Sequence, residues 1–272
     1  MLKERVISGV IFAIIGILIL AINNPILDTI VVTLLALLGM YEYNHAFKNI
    51  GIKPISWVGY LSCFSILFIG NNLISQPNKI LIIKFLLPLV IISVFCYIIL
   101  TNLKRTIIDV AVTFFSILYV PFLISFIKFV LLMDNGRLLF VFVLVAAFVS
   151  DMAAYFVGRK FGKTKLCKDI SPKKSVEGAI AGVMAVVIAF GIVTILYNKV
   201  FAMTLPVLLM LLAGLVASIA GQFGDLSASA IKRYCKVKDF GKIMPGHGGI
   251  LDRFDSIMFV APIIYLFLNL YI

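Results

Sequence analysis

Charge is scarce in this sequence. Asp, Glu, Lys and Arg make up 13% of its 272 residues, where an average soluble domain carries about 25%. Apolar residues make up 62% instead, and the mean hydropathy is +1.15. A water-soluble globule is excluded, because too few polar residues remain to cover it. Disorder is excluded too, since it requires low hydrophobicity. Cysteine pairs are also missing. Cys63, Cys96, Cys167 and Cys235 form no CxxC element, so neither a zinc site nor a disulfide framework is expected, and the thiols read as inert fillers. Strand-like alternation is absent from the apolar runs, which are continuous, as in Ile7–Ile22; this excludes a transmembrane β-barrel.

What is present is length enough for many membrane helices. Each crossing uses about 20 apolar residues, so the chain accommodates about nine. Spans are expected near 6–22, 26–43, 55–70, 80–100, 107–127, 138–158, 176–197, 203–224 and 254–271. Asn23-Asn24-Pro25, Lys53-Pro54, Gln76-Pro77-Asn78, Asn102–Arg105 and Asp134-Asn135-Gly136 mark the turns. The first span follows Met1–Arg5 without a small-x-small cleavage site, so it reads as a membrane helix rather than a signal peptide. Pro121 either kinks a long helix over 107–133 or splits it in two. The expected fold is an all-α polytopic integral membrane protein. Residues 1–135 read as scaffold, and 136–272 read as the catalytic part of one continuous membrane domain.

The few charges are unevenly spread. Of 24 basic residues against 12 acidic ones, giving a net +12, 19 fall on one side of the nine-span topology. Cytoplasmic loops carry the excess of Lys and Arg, so this side and the N-terminus are expected to be cytoplasmic and the C-terminus outside. The two densest loops are 159–175 and 225–253.

Four carboxylates accompany those loops. Asp151 sits within the sixth span, where an acid is costly and faces a cavity or a partner such as Arg159. Asp225 ends the eighth span. Asp252 and Asp255 open the ninth, spaced i, i+3 on one helical face. Such a set suits Mg²⁺ that also holds substrate phosphates; for Asp252 or Asp255 alone, a favourable helix N-terminal charge explains it equally well.

The basic loops supply the opposite charge. Lys173, Lys174 and Ser175 precede a helix whose N-terminus Ser175 can cap, with Glu177 in its first turn, which makes an anion site. Lipid headgroup binding is the simpler account of the same lysines. Pro245-Gly246-His247-Gly248-Gly249 is a glycine-rich turn that lets backbone N–H groups approach an anion, with His247 able to bind phosphate. Taken alone, that turn is more simply a turn with a bystander histidine. His45 reads as structural, and Gly178, Gly182, Gly214, Ser218 and Gly221 as close-packing positions. Carboxylates for metal and basic loops for phosphate, at the membrane–cytoplasm boundary, suit phosphoryl or nucleotidyl transfer between a nucleotide and a lipid.

The segment Ser229–Asp255 resembles the signature of the phosphatidate cytidylyltransferase (CDP-diacylglycerol synthase) family. The matching positions are Ser229, Ile231, Lys232, Arg233, Lys238, Asp239, Gly241, Pro245, His247, Gly248, Gly249, Ile250, Asp252, Arg253, Phe254 and Asp255. Met244 departs from the usual Leu, Ile or Phe. The stretch Asp151–Gly178 is similar to the family's second polar region, whereas 1–135 match only in hydropathy and length. The resemblance implies conversion of CTP and phosphatidic acid to CDP-diacylglycerol and pyrophosphate with Mg²⁺, the site holding one or two cations. It implies catalytic roles for Asp225, Asp252, Asp255, Lys232, Arg233 and His247, the three aspartates holding metal. Substrate contacts are implied for Asp151, Arg159, Lys173, Lys174, Ser175, Ser229, Lys238, Asp239, Gly248, Gly249 and Arg253. A bacterial inner-membrane location and no nucleic-acid partner are expected; the sequence leaves the oligomeric state open, a homodimer included. A CTP-dependent lipid-alcohol kinase is the nearest alternative, and a transporter the alternative from another class.

Overall fold

Asn23 and Asn24 separate the first two helices by local chemistry. Asn23 takes the left-handed conformation at φ 52°, which asparagine tolerates better than most residues. Asn24 then caps the next helix, its side-chain oxygen accepting from the N–H groups of Ile26 and Leu27, with Pro25 at the first helical position. The computed structural model describes residues 9, 14–68, 91–92, 94–101, 104–243 and 248–271. The start of the first expected span, most of the 80–100 span and His247 lie outside the described residues.

Ten helices are described, in whole or part. They are α1 (14–22), α2 (Pro25–Lys48), α3 (Ser56–Cys63), α4 (94–100), α5 (Ile107–Ile117), α6 (Leu123–Leu131), α7 (Gly136–Phe161), α8 (Val176–Val200), α9 (Val207–Tyr234) and α10 (Leu251–Asn269). Among the described residues, five helical stretches are long and apolar enough to cross a membrane: α2, Ile107–Leu131, α7, α8 and α9. Their outward faces are apolar. On α8, Ile180, Met184, Ile188 and Ile192 are all exposed at every fourth position, a stripe that a bilayer solvates and water does not. The protein is an integral membrane protein built of helices.

Pro121 does not split its helix. A π turn over Leu118–Phe122 absorbs the missing N–H, and α5 and α6 run on as one rod from Ile107 to Leu131. Two other boundaries depart from expectation. Ser56–Leu67 is a short apolar helix, well below the length of the other spans. α9 continues to Tyr234, so Asp225 lies inside the helix rather than at its end. Among the described residues, the departure from helix is a small antiparallel hairpin, β1 (Lys165–Cys167) with β2 (Ser171–Ser175), pairing Lys165 with Ser175 and Cys167 with Ser171.

The C-terminal helices pack through small residues, as their sequence implied. A Cβ placed on Gly178 would lie 3.1 Å from Gly158 Cα, one on Gly182 2.9 Å from the Ser150 carbonyl, and one on Gly214 2.8 Å from the Phe190 ring. Ser150 and Ser218 hydroxyls pair at 3.0 Å, and the Gln222 amide donates to the Ala179 carbonyl at 3.0 Å. These contacts lock α7, α8 and α9 together, and α10 packs on α9.

Candidate active site

The site forms where five chain segments end on one side of the bundle: the last turns of α2, α7 and α9, the hairpin, and the start of α10. Ser175 ends β2 and starts α8. Its hydroxyl accepts from the Gly178 N–H at 3.2 Å, the predicted N-cap. Glu177, in the first turn, accepts from the Thr164 N–H at 3.0 Å and so ties the hairpin's other end to the same helix. The hairpin is thereby fixed, and Lys174 points across to α9, where its Nζ lies 2.5 Å from Asp225 Oδ2. Ser229, one turn along α9, turns its hydroxyl toward Asp225 Oδ1 at 3.5 Å.

Asp252 is held more completely. Lys232 Nζ donates to its Oδ1 at 2.7 Å, while Oδ2 accepts from the N–H groups of Phe240 at 2.8 Å and Gly249 at 2.9 Å. Both oxygens are engaged in a buried setting, so Asp252 pins the two flanks of the signature segment together. Lys232 also lies over the Phe240 ring, 5.4 Å from its centroid. Asp255, one turn further, is buried; its Oδ1 accepts from the Ser256 N–H at 2.8 Å. Asp151, Asp225 and Asp255 are within electrostatic reach of one another, as are Lys174 and Arg253 for Asp151 and Lys232 for Asp255.

The structure thus brings together Asp151, Asp225, Asp252, Asp255, Lys174, Lys232, Ser229 and Arg253. Other predicted site residues are engaged elsewhere or stand apart. Arg159 donates to the Tyr155 hydroxyl at 3.3 Å rather than pairing with Asp151. Arg233 donates to the Ile170 carbonyl at 3.3 Å and braces the hairpin. Lys173, Lys238 and Asp239 are exposed. Gly248 takes φ +87°, and a Cβ there would lie 2.8 Å from Asp252 Oδ2; Gly249 abuts the Glu42 carboxylate. Both glycines make room for the protein's own carboxylates. Cys235, the residue that caps α9, is buried, which pushes its thiol up to about 11 and keeps it protonated at neutral pH.

Sequence reasoning missed Glu42. It is 1% exposed on α2, and its two oxygens accept from the Ile250 and Leu251 N–H groups, each at 2.9 Å. An acid within an apolar run was the available signal, the same one that singled out Asp151.

Among the described residues no three His, Cys, Asp or Glu side chains stand close enough together to hold a metal ion as they are. Lysine ammonium groups neutralise Asp225 and Asp252 instead. The carboxylates are hard oxygen donors of the kind Mg²⁺ takes, and as they stand Asp225 and Asp252 are paired to lysine.

Fold and site together define a helical membrane protein with a clustered carboxylate–lysine site at one end of its bundle. The description "Cytidylyltransferase family" matches residues 3–271, and the chain belongs to that family. A phosphatidate cytidylyltransferase of Bacillus subtilis (strain 168) is 33% identical over 271 residues, covering 99% of this chain and 98% of its own. One of Staphylococcus aureus (strain COL) is 34% identical over 268 residues, 98% of this chain and 99% of its own. One of Staphylococcus haemolyticus (strain JCSC1435) is 39% identical over 172 residues, 63% of this chain and 64% of its own.

Proposed function

We propose that this protein condenses CTP with phosphatidic acid to give CDP-diacylglycerol and pyrophosphate. An oxygen of the phosphatidic acid phosphate attacks the α-phosphorus of CTP. The new P–O bond forms as the bond to the β-phosphate oxygen breaks, and pyrophosphate leaves with that electron pair. A phosphate monoester dianion is already nucleophilic, so the residues act by positioning two anions and offsetting their repulsion.

The observation that carries this reading is the pair of lysine–aspartate contacts, Lys174–Asp225 at 2.5 Å and Lys232–Asp252 at 2.7 Å. Each lysine is within a side-chain rotation of exchanging a carboxylate for an incoming phosphate. Lys174 and Lys232 are therefore the phosphate ligands, with Arg253 beside them. Asp225, Asp252 and Asp255 would be the residues to hold Mg²⁺, with Asp151 nearby. Mg²⁺, when bound, supplies neutralisation of the triphosphate charge. Arg233 acts by holding the hairpin that carries Lys174.

The lysine-rich hairpin and Lys236, Lys238 and Lys242 collect at the same end of the bundle as the carboxylates. Their charge supports a cytoplasm-facing site in a bacterial inner membrane. The test is purified protein with CTP labelled at the α- or the γ-phosphate, plus phosphatidic acid, with and without Mg²⁺. Transfer of the α label to lipid with pyrophosphate release, dependent on Mg²⁺, is the expected result. Transfer of the γ label with CDP release would instead mark a lipid kinase.

A further inference from the structure

α10 begins without a side-chain cap of its own. Its N-cap residue is Ile250, which has no side-chain oxygen to offer, yet the first N–H groups of a buried helix require acceptors. Glu42 supplies them from α2. One oxygen takes the Ile250 N–H and the other the Leu251 N–H, each at 2.9 Å, across 208 and 209 positions of sequence. The same carboxylate is enclosed by glycine on two sides. A Cβ on Gly241 or on Gly249 would collide with it. Asp252 completes the arrangement from within α10 by binding the Phe240 and Gly249 N–H groups. Two carboxylates, one from each half of the chain, thus clamp the residues flanking 242–248, and Asp252 and Asp255 leave that clamp on the first turns of the helix.

We propose that Glu42 is a positioning residue of the transfer site: it holds the N-terminus of α10 in the register that turns Asp252 and Asp255 toward Asp225 and the lysines. The proposal rests on the cytidylyl-transfer reading for its kinetic consequence. Glu42 itself touches no substrate. Its acceptor geometry is met by a bidentate anion, which an amide replaces poorly, since a Gln side chain turns a donor toward one of the two N–H groups.

The test is Glu42→Gln in the purified full chain, followed by turnover, thermal unfolding in detergent and backbone amide exchange. Turnover should fall about tenfold or more, the scale of a lost hydrogen bond to a charged group. KM for phosphatidic acid should stay within about twofold, because the loss falls on the arrangement of reacting groups. Amide exchange should rise over 249–251 and stay unchanged in α7 and α8. Gly241→Ala is the second variant. It leaves Glu42 in place but pushes its carboxylate aside, and the same kcat loss and the same local rise in exchange are expected. Wild-type kcat in the folded fraction of both variants would overturn the proposal, as would a loss matched by the fall in folded fraction. If Glu42→Gln does not fold, Gly241→Ala decides by the same criteria. If the wild-type protein fails to transfer label from CTP to lipid, the reaction reading fails, while exchange at 249–251 still reports whether Glu42 holds the helix.

Discussion

The carboxylates of the two halves keep different company. In residues 1–135, Asp28 binds Arg137 at 2.6 Å, Asp109 accepts the Lys53 and Thr106 N–H groups at 2.6 and 2.8 Å, and Glu42 accepts those of Ile250 and Leu251. Each has a fixed donor. In residues 136–272, Asp255 also accepts the Ser256 N–H, but it lies with Asp151 and Asp225 within one another's fields, with Lys174, Lys232 and Arg253 as the neutralising charges. Anions placed near one another oppose folding, and a membrane protein that keeps them uses them. Anions met by fixed donors hold the frame. Asp252 belongs to both classes, since one oxygen faces a lysine and the other is tied to two backbone N–H groups.

That division predicts opposite responses to the same change, Asp to Asn. At Asp255, turnover should drop about 100-fold or more, the scale of losing a preorganised charge at a reacting centre. Thermal unfolding in detergent should move up or stay level, because like-charge repulsion is relieved. At Asp252 both measurements should fall, with a destabilisation of about 3 kcal/mol for a broken buried ion pair. At Asp28 only stability should fall, by about 1–2 kcal/mol for a partly exposed pair, with turnover of the folded protein unchanged. A turnover loss at Asp28 equal to that at Asp255 would erase the distinction between the halves.

The smallest effect concerns Cys235. Burial pushes its thiol up to about 11, above its ordinary value of 9.0. Above the ordinary value the unfolded chain releases this proton and the folded chain does not. Its contribution to stability is therefore present at neutral pH and lost between those two values as pH rises. Maleimide labelling at neutral pH should be slower at buried Cys235 than at half-buried Cys167 of the hairpin. Rapid labelling of Cys235 would mean that the α9 end opens far more readily than its packing implies.

Apolar length made the helical membrane fold legible, and the i, i+3 spacing of Asp252 and Asp255 with the flanking lysines made most of the site legible. The boundaries were less so. α9 outlasts its apolar run because amphipathic turns beyond Asp225 still pack on α10. The hairpin was hidden because Lys165–Ser175 carries lysines and no strand-like alternation; its pairing is fixed by ties to α8 rather than by its own side chains. Glu42 escaped notice because its partners are two backbone N–H groups more than 200 residues away, which no local pattern encodes. Through Glu42, residues 1–135 also touch the start of the signature helix.

On the proposed reading, the second half's carboxylates do the chemistry and the first half's hold the frame. This division is tested most directly by turnover of Asp225→Asn and Asp28→Asn, measured side by side and normalised to folded protein. The expected result is activity below about 1% of wild type for Asp225→Asn and within about twofold for Asp28→Asn. Equal losses, or the reverse order, would contradict it.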